Sequence, residues 1–125
     1  MKNVFPIIIL VSLLSFSANA QKDKWKEMED FHSIMSETFH PAEEGKLGPI
    51  KNRSKEMAEK AVAWLQSTAP AGYDKKAVKT HLKKLAKDSK KLNKLVKSGA
   101  ADEMIKEKLA ALHDTFHTIM EECEK

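Results

Sequence analysis

The sequence predicts an all-α fold: an antiparallel up-down-up-down four-helix bundle behind an export signal. Three observations carry this. Four segments repeat apolar residues at spacings of three and four, and almost nothing alternates with the period of two that marks a strand. Glycine and proline fall between those segments, or, for Pro49, at the first position of one, where proline is tolerated. The connections are short, so each helix must run antiparallel to the one before it.

Residues 1–20 read as a secretory signal peptide. Lys2 gives a positive start, Ile7 to Leu14 form an apolar run broken only by Ser12, and Ala18-Asn19-Ala20 is a small-x-small cleavage site. Cleavage is expected after Ala20. The run is too short to span a bilayer, which takes roughly 20 residues, and the charged stretch Gln21-Lys22-Asp23-Lys24 comes directly after it. No second apolar stretch could act as a membrane span. Residues 21–125 should therefore form one soluble domain in a periplasm or outside the cell.

The first helix is expected over about 23–40, with Asp23 as N-cap. Trp25, Met28, His32, Met35 and Phe39 form its apolar stripe, widened by Phe31, Ile34 and Thr38. His40-Pro41 should stop it, because proline disfavours helix in the residue before it. The second helix is expected over about 49–67, opening on Pro49, with Ile50, Met57, Ala61 and Trp64 inward. Ala69-Pro70-Ala71-Gly72 breaks the chain. The third is expected over about 74–98, capped by Asp74 and closed by Gly99, with Val78, Leu82, Leu85, Ser89, Leu92 and Val96 inward. The fourth, over about 102–123, turns Ile105, Leu109, Leu112, Phe116, Ile119 and Cys123 inward.

Loss of Lys2 with the signal leaves 21 basic and 18 acidic residues, a net charge of +3. That balance is too mild to argue for nucleic acid. Lysines nevertheless crowd the outer face of the third helix: Lys76, Lys79, Lys83, Lys87, Lys90, Lys94 and Lys97. Such a face is most simply solvated, and it could also meet an anionic redox partner or an anionic lipid surface. Cys123 is the only cysteine, so no internal disulfide can form.

The histidines suggest chemistry. Met28/His32 and His113/His117 are both i, i+4 pairs, so each pair shares one helix face. Counted from the start of the first helix and the end of the fourth, the two pairs should stand at matching heights on neighbouring helices. His81, about two turns into the third helix, belongs to the same end. Imidazole suits zinc, copper, nickel and iron, and a thioether biases the set toward copper or haem iron. The expected ligands are thus His32, His113, His117, Met28 and His81. His40, Glu43 and Glu44 make a second, weaker cluster that could bind a divalent ion, although a histidine at a helix C-terminus is commonly placed there by the dipole.

Leu109-Ala110-Ala111-Leu112-His113-Asp114-Thr115-Phe116-His117, about eighteen residues after a glycine, resembles the last helix of the cytochrome c-prime superfamily, which includes the soluble periplasmic b-type cytochromes. The resemblance implies a four-helix bundle holding haem near one end, with His117 and Met28 as axial ligands, and it implies proteins that often pair as dimers. The chain departs from it in lacking C-x-x-C-H, so no thioether link to haem is possible. Non-covalent haem or a bare metal ion remains, serving electron transfer or metal handling, in a monomer or homodimer. There is no nucleophile-base pair, glycine-rich phosphate loop or H-E-x-x-H, so an enzyme is not expected. The alternative expectation is a metal-free periplasmic adaptor that works through the lysine face.

Overall fold

The computed structural model describes residues 24–123. The signal segment 1–20 and its cleavage site lie outside them, as does Asp23; the N-cap position of α1 is Trp25, with no side-chain cap, and not Asp23 as expected. Four helices succeed one another: α1 (Lys26–Glu43), α2 (Gly48–Gln66), α3 (Lys75–Lys97) and α4 (Asp102–Glu122). Each packs on the next, and α4 closes the ring on α1 through the slimmest of the four pairings. No helix among the described residues is long and apolar enough to cross a membrane.

Local chemistry sets the helix ends. Asp74 caps α3, its carboxylate accepting from the backbone N–H groups of Lys76 and Ala77 at 3.1 Å each. Pro49 occupies the first turn of α2, where a missing N–H has no cost. Gly45, Gly72 and Gly99 terminate turns at positive φ, the conformation side-chain-bearing residues avoid. The Asp74 N–H donates to the Cys123 carbonyl at 2.8 Å, tying the start of α3 to the end of α4.

Two expectations for α1 need correction. The helix does not stop at His40 but continues through Pro41 to Glu43. Proline lacks the N–H that would bond the Glu37 carbonyl, but the turn after it is well tied: Glu44 and Lys46 N–H groups both donate to the Pro41 carbonyl, and Gly45 to that of Ala42. Ala42, 1% exposed, is drawn into the core and holds this last turn down. The buried stripe is also rotated. It runs through Phe31, Ile34, Met35, Thr38 and Ala42, while Met28 and Phe39 sit at its edge and His32 is exposed. The rotation is possible because Thr38 can be buried at no polar cost, its hydroxyl donating to the Ile34 carbonyl at 2.8 Å.

The core at the end where α1 begins is aromatic. Phe31 lies 5.6 Å from Trp64 and 5.8 Å from Phe116, centroid to centroid, and Trp64 lies 5.8 Å from Phe116. Trp25 packs edge-on against Trp64 at 5.7 Å and against Tyr73 at 5.0 Å, with its Nε1–H donated to the Ser67 hydroxyl. Each such pair contributes about 0.5–1.5 kcal/mol beyond the area it buries.

Truncation at this cluster should be costly. Phe116→Ala is expected to lower the unfolding free energy by about 3–5 kcal/mol. Asp74→Ala should cost about 1 kcal/mol through the lost cap, and exposed Met104→Ala almost nothing. Urea midpoints of the three variants give the ranking directly.

Candidate functional site

The closest approach of chemistry-bearing side chains lies on the outer edge of the α1–α4 pairing. One helical turn separates His113 from His117 on α4, and their Nε2 atoms stand 3.2 Å apart. His117 Nδ1 is 3.1 Å from Glu121 Oε2, one further turn along. A carboxylate only accepts, so this nitrogen carries the proton and the lone pair of His117 sits on Nε2. His113 Nε2–H then donates to that lone pair. From α1, Phe39 covers the His113 ring face to face at 4.0 Å with planes 11° apart.

The pair is half open. The side chain of His113 is 26% exposed and that of His117 is 42% exposed, so water and ions can reach both. Burial, chiefly under Phe39, pushes the His113 pKa below the usual imidazole value, and the neighbouring His117 pushes it the same way. Asp114 and Glu43 oppose the shift, and His40 adds slightly to it. His113 is therefore neutral at neutral pH, the form that ligates.

The other expected ligands lie apart from this pair. His32 does not meet His113; its ring stacks on Phe116 at 5.2 Å, and His113 instead meets Phe39, about two turns further along α1. Met28 is turned to Tyr73, whose hydroxyl donates to its Sδ at 3.6 Å. His81 is half-buried on α3, and no ring contact or hydrogen bond among the described residues joins it to the pair. His40 Nδ1 lies 3.4 Å from Glu43 Oε1 on an exposed turn, while Glu44 faces Lys46 at 3.5 Å. His40 and Glu43 both act electrostatically on His113, so this second cluster lies near the first. Glu121 and Phe39 are the site residues that sequence reasoning missed. The spacing His113, His117, Glu121, two steps of i+4, is the signal that could have found the first.

Among the described residues no group of three or more His, Cys, Asp or Glu side chains converges to hold a metal ion. The protein offers two nitrogens, not a closed shell. Haem fits less well. Phe31, Trp64 and Phe116 fill the bundle interior at this end, each at most 1% exposed, and Met28 is engaged by Tyr73. A porphyrin between Met28 and His117 would have to displace core rings.

Comparison of the chain with protein-family models, with curated proteins and with solved structures found no match.

The His113 shift makes stability depend on pH. Its native pKa lies below the unfolded value of about 6.5, so the unfolded chain takes up the proton first. The stabilisation is complete above that unfolded value and is lost as pH falls through the lower native one. Urea midpoints measured from pH 7 downward should fall more steeply for the parent than for His113→Asn, and the imidazole signals of His113 should titrate below the usual range.

Proposed function

We infer that this protein is an exported metal-handling bundle that chelates one transition-metal ion through His113 and His117. The observation that carries the reading is the 3.2 Å separation of the two Nε2 atoms. Two nitrogens each bound at about 2.0–2.1 Å stand that far apart when the angle at the metal is about 100°, between octahedral and tetrahedral values. The helix thus supplies a chelate whose spacing is set before the ion arrives.

Supporting chemistry surrounds the pair. Glu121 on His117 Nδ1 makes the carboxylate–histidine–metal arrangement that fixes a ring and raises its basicity. Phe39 holds the other ring flat. Binding replaces the His113 Nε2 proton and moves that ring to its Nδ1–H form. Water completes the shell on the open side. An imidazole and water donor set suits zinc, copper(II) and nickel. With Met28 elsewhere, the thioether bias toward copper(I) or haem iron falls away. Acids beside the pair also favour a cation: Asp114 and Glu43 act on His113, and Glu121 meets His117.

The test uses a chain starting at Gln21, which keeps the whole described bundle. Titration with zinc, copper(II) and nickel, together with native mass spectrometry, should show one bound ion. His113→Ala and His117→Ala should each weaken binding by more than tenfold, and Glu121→Gln by about tenfold. His32→Ala and Met28→Leu should leave it unchanged. With the ion at a hundred times its dissociation constant, the parent should gain about 2.7 kcal/mol of stability. A protein that takes up none of the three ions, or one whose affinity is indifferent to His113 and His117, would sink the reading.

A further inference from the structure

We propose that the lysine face of α3 is a docking surface for an anionic lipid bilayer. The helix carries ten lysines and a single acid, Asp88, which is taken by Lys84 at 2.7 Å. Lys76, Lys79, Lys83, Lys87, Lys90, Lys94 and Lys97 are all exposed. At 3.6 residues per turn they fall within about 80° of one another, on a ridge roughly 30 Å long, about 120° around the helix from the buried stripe. Among the described residues none of the seven is ion-paired.

Folding asks for only part of this arrangement. Lys94 and Lys97 stand in the last turn, where the helix dipole favours cations, but Lys75, Lys76 and Lys79 crowd the first, where the Asp74 cap is the only acid of the turn to offset them. Lys79 and Lys83, Lys83 and Lys87, and Lys90 and Lys94 are like charges at i, i+4, which repel. The same face survives with no compensating acids from α2 or α4 bridging to it. An anionic surface laid against the ridge would relieve the repulsion among these lysines.

The chemistry of the face selects the kind of anion. All ten cations are lysine and none is arginine. Lysine is a compact, strongly hydrated point charge without the planar fork that reads a fixed carboxylate or phosphate geometry. Such a face responds to charge density over an area, which mobile headgroups can supply by gathering beneath it. It also lacks any apolar side chain to insert: Met104, on α4, is the exposed large hydrophobic residue among those described. The expected mode is therefore contact at the headgroup level, with α3 lying along the membrane and no burial in the acyl region.

Each lysine near an anionic surface raises partitioning about fivefold. The test is co-flotation of the Gln21–Lys125 chain with vesicles of phosphatidylcholine alone or mixed with phosphatidylglycerol. Binding is expected to the mixed vesicles only, and to fade as salt rises past the range where the Debye length is about 10 Å. The triple variant Lys83→Gln, Lys87→Gln, Lys90→Gln should bind about a hundredfold less tightly, taking three such factors together. A control triple with the same change of net charge, Lys24→Gln, Lys46→Gln, Lys106→Gln, should lose far less. Circular dichroism confirms that both remain folded. Four results overturn the proposal: no binding to the mixed vesicles at low salt, equal losses in the two triples, self-association of the free protein on gel filtration at low salt, or equally tight binding to double-stranded DNA.

Discussion

Packing among Phe31, Trp64 and Phe116 governs the geometry of the α1–α4 seam. The three rings come from α1, α2 and α4, touch one another at centroid distances below 6 Å, and are sealed from solvent. Trp25 and Tyr73 extend the cluster to the start of α1 and the α2–α3 turn. Because close-packed rings admit few alternative arrangements, the cluster sets how far α4 slides along α1. With Phe116 locked against Phe31, His32 stacks beside Phe116 and His113 is carried to Phe39. The stagger of the seam, and hence the surroundings of every histidine on it, is a consequence of aromatic packing.

Charge is divided as firmly as the core is shared. The seam formed by α1 and α4 has an excess of acids on both helices, while α3 has ten lysines to one acid. A net charge of +4 for the whole chain conceals this separation. Potentials of opposite sign on different faces steer different species. On the two proposals made above, the seam would draw cations toward the imidazoles of His113 and His117, and α3 would draw extended anions. The two surfaces sit on different helices, so the proposed contact of α3 with a bilayer would leave the seam of α1 and α4 open to solvent.

Much of the fold is written in local pattern. The apolar spacing of α2, α3 and α4, the Asp74 cap and the Gly99 stop could be read directly, because each depends on a few adjacent residues. Pro41 shows where such reading ends. Its effect on the helix was offset by tertiary pull on Ala42 and by backbone bonds from Glu44, Gly45 and Lys46, none of which a propensity argument contains. The buried face of α1 was similarly ambiguous. Rows through Met28, His32 and Phe39 or through Phe31, Ile34 and Thr38 both satisfy helical periodicity. The choice between them rests on which rings meet Trp64 and Phe116, a property of three helices at once.

The same distinction explains why one half of the expected ligand set came together and the other did not. His113 and His117 belong to a single helix, and i, i+4 spacing alone places their rings side by side whatever the bundle does. Pairing them with Met28 or His32 required a particular stagger between α1 and α4, and counting residues from helix ends fixes a stagger only to within a turn or two. A turn is enough to exchange every neighbour across a seam. Glu121 extends the robust half, since it too lies at i+4 from His117 on the same helix. The neighbouring helix then contributes what a single helix cannot: Phe39 covers one ring, removes part of its water and keeps it neutral. The imidazole pair takes its spacing from secondary structure and the lowered pKa of His113 from tertiary packing, so core variants that loosen the seam should disturb the second before the first.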